Sequence, residues 1–406
     1  MPVLSQLAAL RSNCFSLNID LVLINNWYVA AYAHEISATK PLGVRMLGCD
    51  FVLYRDPAGQ AVCLSNVCVH RGAALANGQI VAGNVECPYH GWQFGNAGRC
   101  AKIPALGDEA GIPKRARIDS YPTMEKYGWV WVFLGDLPEA ERPQVPELFP
   151  EYEMPDQWRL IGYHGEGNVN WARFEENSLD TAHINFVHPT FGTRRAPRVH
   201  VVPISPTEYG ARVQRVRPAP KVAQKAGEMA KILNPDRGFT AVSVEFSLIG
   251  VCHRIQPVFQ EGMSIITFSV KVPIDATNTR TFGIQARNFL LDPAADSDRH
   301  AMILKALHED LAVVTGIEPK LPPRTVTEEF LTETDGMEFQ FRQRVRDWAR
   351  RGHEIDVERM HSERLRRVLV IPSPERRADP GNWVHRTVPL VAPDDLETSV
   401  ANLSRI

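Results

Sequence analysis

From Trp27 to Gly135 the apolar residues come in short aromatic and β-branched runs separated by turn residues. Phe51-Val-Leu-Tyr54 and Ala61-Val-Cys-Leu64 flank Asp56-Pro-Ala-Gly59, which predicts a hairpin. Val130-Trp-Val-Phe-Leu134 predicts a further strand, closed by Gly135-Asp136. Helical periodicity is nearly absent here, so the stretch reads as a small all-β domain. Pro138, Pro143, Pro146, Pro150 and Pro155 then exclude a continuous helix or central strand and mark a linker. Beyond it, spacing predicts a helix over about 171–187 and strands at Val199–Val202, Ala241–Val251, Ser264–Val272 and Thr281–Phe289. A long amphipathic helix over about 297–315 and a charged one over about 335–352 come next. Strands followed by a long helix predict an α+β second domain. Segment 215–240, with Arg217-Pro-Ala-Pro220 and Asn234-Pro-Asp-Arg-Gly238, predicts a mobile loop or lid. The expected division is an N-terminal extension 1–24, a β domain 25–140, a catalytic domain 141–372 and a C-terminal tail 373–406.

Composition narrows the class without naming a chemistry. The 406 residues carry a net charge of −2, without the basic excess of a nucleic-acid binder. The uncharged run Leu21 to Ala33 is shorter than the ~20 residues of a membrane span. Seven cysteines, an odd number, do not make a disulfide scaffold, and the N-terminus lacks the pattern of a secretory leader. The expectation is a cytoplasmic protein with free thiols.

Two constellations carry chemistry. The first is Cys68-Val-His70-Arg71-Gly72 followed by Cys87-Pro88-Tyr89-His90-Gly91-Trp92. Each half offers one thiolate and one imidazole, the ligand set of a Rieske [2Fe-2S] centre, with two Cys on one iron and two His on the other. A Cys2His2 zinc site takes the same residue types, but its ligands more often pair like with like. Gly72 and Gly91 would let the backbone turn closely beneath the cluster.

The second is Asp180-Thr-Ala-His183-Ile-Asn-Phe-Val-His188-Pro189. Asp180 and His183 would share one helix face. A regular helix cannot aim His183 and His188 at one ion, but the residue before a proline leaves the α region, so His188 is free to swing back. Two histidines and a carboxylate on one side of an ion form the non-haem Fe(II) oxygenase arrangement. Ile303, Leu307, Val314 and Ile317 form an apolar stripe, and Asp310 falls within it while Glu309 falls toward the polar side. A carboxylate in an apolar stripe needs a partner or a metal, so Asp310 is the expected third ligand. The alternative is a buried salt bridge with Arg299 or His300. Glu175 and Glu176 read as ordinary helix residues, and Asn177 as a residue that could reach the metal.

With both motifs in one chain, the sequence resembles the Rieske non-haem iron oxygenases, the ring-hydroxylating oxygenase α subunits, over roughly residues 25 to 350. The resemblance implies a β-rich Rieske domain followed by a helix-grip catalytic domain whose antiparallel sheet wraps a long helix. It implies that Cys68, His70, Cys87 and His90 bind the cluster, and that His183, His188 and Asp310 bind a mononuclear Fe(II). Asp180 matches the family's bridging aspartate, which links an iron-ligand histidine to a cluster histidine of the next subunit in a head-to-tail homotrimer. The run Lys102-Ile-Pro104…Ile112-Pro-Lys-Arg-Ala-Arg117 looks more like the α-only monooxygenases and demethylases than the dihydroxylating dioxygenases. No Gly-x-Gly-x-x-Gly opens a helix, so electrons are expected from a separate reductase, directly or through a ferredoxin. The implied reaction is hydroxylation or oxidative demethylation of an aromatic or polycyclic small molecule with O2. Cis-dihydroxylation and a pure Rieske electron carrier are the alternatives. Arg342, Arg344, Arg346, Arg350 and Arg351 read as a solvated helix face, with docking of an acidic partner as the minor reading.

Overall fold

A computed structural model of the chain describes residues 22–392, apart from 108, 191, 193, 196, 219–230, 234–237 and 324–327. The short aromatic runs of the first third pair as strands. Leu42–Met46, Cys49–Arg55, Ala61–Ser65 and Ser120–Tyr121 form one antiparallel sheet, with the expected hairpin at 56–59. Asn26–Tyr32, Thr123–Lys126 and Trp129–Leu134 form a second. Gln79–Val81, Asn84–Glu86, Gln93–Phe94 and Cys100–Lys102 form a third, small sheet that carries the Cys87 loop. Every residue of Trp129–Leu134 is buried, because this strand is covered on both faces. Trp129 stacks on Phe268 of the neighbouring layer (centroids 5.9 Å apart, 20° between planes), so one core joins the N-terminal sheets to the larger sheet of the second half.

That larger sheet is antiparallel and seven-stranded. Its strands are β1 (Arg159–Gly167), β2 (Ile204–Pro206), β3 (Gly210–Pro218), β4 (Phe239–Ser247), β5 (Cys252–Gln260), β6 (Met263–Pro273) and β7 (Thr279–Arg287), in the order β1-β7-β6-β5-β4-β3-β2. Helix α1 is Trp171–Leu179, α2 is Ile184–Val187, α3 is Asp296–Val314 and α4 is Gly336–Trp348. Helix α3 lies against β1. Leu307 and Leu311 sit over Gly165 and Gly167, where an added Cβ would approach their Cδ2 atoms to 3.0 and 2.5 Å. The fold is thus the expected all-β part followed by an α+β part in which an antiparallel sheet packs on a long helix.

The chain beyond α4 returns to the N-terminal sheets. Asp119, fully buried, accepts from Ser373 Oγ at 2.7 Å and from Arg376 at 2.6 and 2.9 Å. Arg117 donates to Asp379 Oδ2 at 2.9 Å and lies over the Trp383 ring, 3.9 Å from its centroid. No helix among the described residues is long and apolar enough to cross a membrane.

Several local expectations differ from the structure. The helix expected over 171–187 ends at Leu179, and Asp180 is extended (ψ 131°). The Asp180 carboxylate accepts from the backbone N–H of Ala182 at 2.6 Å and of His183 at 3.2 Å, a local turn that competes with helix continuation. The strand expected at Val199–Val202 lies instead at Ile204–Pro206, since Pro197 and Pro203 bracket the earlier residues. Strand β1 escapes propensity reading because Gly162, Gly165 and Gly167 dilute it. Strand β5 escapes it because Pro257 interrupts it just before a bulge at Val258–Gln260. Of the expected lid, 215–218 and 239–240 are strand ends, and 219–230 and 234–237 lie outside the described residues. The Arg face of α4 is not solvated as a whole. Arg342 grips Glu176 at 2.5 Å and Glu329 at 2.5 Å, so it cannot also serve a docking partner.

Candidate metal centres and catalytic cavity

The two Cys/His loops close in the same way. Cys68 N–H donates to Ala73 O at 2.9 Å and Gly72 N–H to Cys68 O at 2.9 Å. Cys87 N–H donates to Trp92 O at 2.8 Å and Gly91 N–H to Cys87 O at 3.0 Å. Gly72 and Gly91 both take positive φ (76° and 70°), which explains glycine at these two places. The loops bury the two cysteines side by side and leave both histidines exposed, with ring centroids 4.4 Å apart. Trp92 stacks on His70 (4.8 Å, 7°) and Tyr89 lies against His90 (3.9 Å), so aromatic neighbours hold both rings. Burial pushes the Cys68 thiol up to about 12, the N–H groups of His70 and Arg71 oppose this, and the adjacent Cys87 adds to it. Backbone donors aimed at a buried sulfur suit a metal-bound thiolate.

The four side chains lie in two like pairs, thiol beside thiol and imidazole beside imidazole, as a two-iron cluster with two Cys on one iron and two His on the other requires. A second group, His183, His188 and Asp310, has donor atoms that all lie within 4.8 Å of one another.

The second site lies between the sheet and α3. His183 leads into α2, and His188 ends it with φ −110° and ψ 89°, outside the helical region as the following proline requires. Asp310 comes from the middle of α3, with Oδ1 3.5 Å from His183 Nε2 and 3.1 Å from His188 Nε2. Asp310 Oδ1, facing both Nε2 atoms, is buried without a hydrogen bond, while His183 Nδ1 on the other side of its ring looks toward Asp180. An orphaned carboxylate oxygen between two imidazole nitrogens is what a bound cation would satisfy. Burial alone would pull the His183 imidazole down, but Asp180 and Asp310 outweigh it and raise it to about 9. Burial likewise pushes Asp310 up, but His183, His188 and Asn177 hold its carboxyl well below the usual range. The field at this point favours positive charge.

Sequence reasoning missed three partners here. Glu309, expected on the polar side of α3, accepts from His188 Nδ1 at 2.9 Å and so orients that ring. Glu175 is buried and its carboxylate meets His253 Nδ1 at 2.9 and 3.0 Å. Glu176 is held by Arg342. Neither Glu175 nor Glu176 is the ordinary helix residue expected, because α1 is buried along nearly its whole surface. Arg299 turns to Gln285 Oε1 at 3.4 Å, so the salt bridge weighed as an alternative for Asp310 is not the contact it makes there. Asp180 stands with Oδ2 3.5 Å from His183 Nδ1.

A cavity of about 260 Å³ opens beside these residues. Alternate residues of β5 and β6 line it, among them His253, Ile255, Phe259, Ile265, Thr267 and Ser269. Period-two alternation turns one face of the sheet toward α3 and the metal-type residues.

A cluster-type β module in front of a sheet-and-helix module with a two-His, one-carboxylate pocket defines the class of two-centre iron oxygenases. Comparison with known proteins agrees. Residues 26–122 match the Rieske [2Fe-2S] domain, and residues 168–351 match the vanillate O-demethylase oxygenase C-terminal domain. Methylxanthine N3-demethylase NdmB of Pseudomonas putida is 30% identical over 315 residues, 74% of this chain and 81% of that protein. The dicamba O-demethylase oxygenase component of Stenotrophomonas maltophilia is 34% identical over 164 residues, 40% of this chain, and the match spans about half of that relative (47%). In fold, the chain is similar to NdmA of Pseudomonas putida with caffeine (TM-score 0.68, 24% identity, 80% of this chain and 91% of that one). It is equally similar to dicamba monooxygenase bound to 3,6-dichlorosalicylic acid (TM-score 0.68, 23% identity, 80% and 96%). The chain belongs to the Rieske non-haem iron oxygenase family.

Proposed function

We propose that the protein is the terminal oxygenase of a multicomponent system and inserts one oxygen atom of O2 into a C–H bond of a small aromatic molecule. The convergence of His183, His188 and Asp310 in the wall of a cavity between the sheet and α3 carries this reading. Cys68, His70, Cys87 and His90 would hold a [2Fe-2S] cluster, and His183, His188 and Asp310 a mononuclear iron. When bound, the cluster supplies electrons one at a time and the ferrous ion binds and activates O2. The chain's own groups do the rest. His183 and His188 present Nε2 to one point, while Glu309 fixes the His188 tautomer by accepting from Nδ1. His183, His188 and Asp310 all line the cavity, so a substrate held there would lie beside the ion they would hold. Apolar residues there keep bulk water out. Asp180, tied to its own turn by two backbone N–H groups, is held still beside His183.

If the carbon attacked is an O- or N-methyl group, its hydroxylated form loses formaldehyde and the net reaction is demethylation. Two electrons and two protons reduce the second oxygen atom to water. These electrons come from a separate reductase, directly or through a ferredoxin. A head-to-tail homotrimer in the cytoplasm is part of the proposal. His90 is exposed and Asp180 keeps 28% of its side chain accessible, which supports a bridge between the two across a subunit boundary. Single turnover tests the whole reading. With the cluster reduced beforehand and O2 and an aromatic substrate added, reoxidation should accompany product and depend on His183. Reoxidation without any oxygenated product across a broad aromatic panel would leave an electron carrier instead.

A further inference from the structure

The cavity beside the metal-type residues carries more positive charge than the oxygen chemistry asks for. Its lining includes two carboxylates, Asp180 and Asp310, both at the metal end, against the side chains of Arg217, Lys271 and Arg299. Lys271 is 3% exposed and its Nζ lies over the Phe174 ring, 3.9 Å from the centroid. Burial pulls its amine down to about 8, partly offset by Glu175 and Asp310, and Glu175 is itself engaged by His253. Arg217 is half-buried, its Nε is buried, and that atom has no hydrogen-bond partner among the described residues. Burial depresses its basicity, and no carboxylate among the described residues opposes this. A guanidinium at a cavity wall whose Nε is buried without an acceptor among the described residues is costly, and such a cost is tolerated where a ligand supplies the missing charge.

The cations are spread along the cavity. On α3, Arg299 and Asp310 are eleven residues apart, three turns on the same face, or about 16 Å. Across the sheet, Arg217 pairs with Thr240 at the far end of β4, level with Phe259, while His253 and Lys271 lie at the metal end. Six residues of strand from His253 to Phe259 are about 20 Å. After side-chain reach, that leaves room for one or two rings between the two ends. The volume of about 260 Å³ falls just below the usual range of ligand sites, which starts at roughly 300 Å³, and disfavours a large polycycle.

Resting on the oxygenase reading, we propose that the substrate is a small aromatic anion, a carboxylate or sulfonate, whose charged group is gripped by Arg217 at the end of the cavity remote from the metal. Arg299 lies on that side and adds its field, while Lys271 stands among the carboxylates of the metal end. A planar guanidinium matches the two oxygens of such a group. A neutral purine or an ester would leave the buried Nε of Arg217 without an acceptor among the described residues.

The test is binding, not turnover. The full-length protein, with its iron content measured, is titrated anaerobically in a calorimeter with 4-methoxybenzoate, toluene-4-sulfonate, methyl 4-methoxybenzoate and caffeine. The two anions should bind at least about tenfold more tightly than the ester or caffeine. Arg217→Gln should bring 4-methoxybenzoate and its ester to nearly equal affinity with an unchanged melting curve. Should that variant fail to fold, Arg299→Gln, on the same side of the cavity, should narrow the same gap. The proposal is overturned if the ester or caffeine binds as tightly as the anions. It is also overturned if neither anion binds below about 1 mM, or if folded Arg217→Gln keeps the preference. Because no turnover is read, loss of oxygenase activity with anion binding intact would count against the oxygenase reading alone.

Discussion

Glu309→Ala removes the carboxylate that accepts from His188 Nδ1 at 2.9 Å, without touching any of the three residues that converge on the proposed iron. His188 has a 6% exposed side chain, so water would only partly replace the lost partner, whereas Glu309 itself is 22% exposed and its charge is partly screened. A hydrogen bond to a charged group contributes about 1.5–3 kcal/mol, and the exposure of Glu309 argues for the lower half of that range. About 1.5–2 kcal/mol corresponds to a fall of roughly 10- to 30-fold in metal affinity, within the 10- to 100-fold typical of outer partners of metal-binding histidines. The assay is competition for Fe(II) against a chromophoric chelator at fixed pH, on protein whose Rieske absorbance is intact. Glu309→Gln, which keeps an acceptor but not the charge, should fall between wild type and Ala. Asp310→Ala should abolish mononuclear iron binding outright. Wild-type affinity in Glu309→Ala would refute the reasoning, since the orientation of His188 would then owe nothing to this contact.

Asp180→Asn should keep the cluster colour and near-normal mononuclear iron but lose most single turnover, read as reoxidation of a pre-reduced cluster. His70→Cys should retain iron and sulfide but lower the midpoint potential in a redox titration, because an anionic thiolate replaces a neutral imidazole. Asp119→Ala strands Arg376 at a buried site and should cost about 3 kcal/mol in urea unfolding. Burial raises the Glu338 carboxyl from its ordinary 4.5 to about 8. A group held protonated in the fold but ionised in the unfolded chain lowers stability as pH climbs between those values, so Glu338→Gln should flatten the stability profile over that interval.

Local grammar carried much of this molecule. The paired Cys-x-His and Cys-x-x-His turns, each closed by a glycine, and the proline after His188 are legible because each acts within a few residues. Asp310 was legible for a different reason, since a lone carboxylate in an apolar stripe needs an explanation. The contacts that escaped are those across the fold. Glu309 meets a histidine 121 residues away, Glu175 one 78 residues away, and Glu176 an arginine 166 residues away. Nothing in their neighbours marks them. The turn at Asp180 escaped as well, because its carboxylate outcompetes the helix for two N–H groups while the surrounding periodicity still reads as helical. Likewise, alternation in β5 and β6 announces an inward face, but not that Lys271 on that face shares a cavity with α3.

Two separate iron centres in one chain are what the proposed chemistry requires, and metal and sulfide analysis of wild type beside His183→Ala tests for them most directly. The wild type should hold about three irons and two labile sulfides per chain, and His183→Ala about two irons with the sulfide and the red-brown Rieske spectrum unchanged. Zinc in place of iron, absent sulfide, or an iron count that His183→Ala does not alter would contradict it.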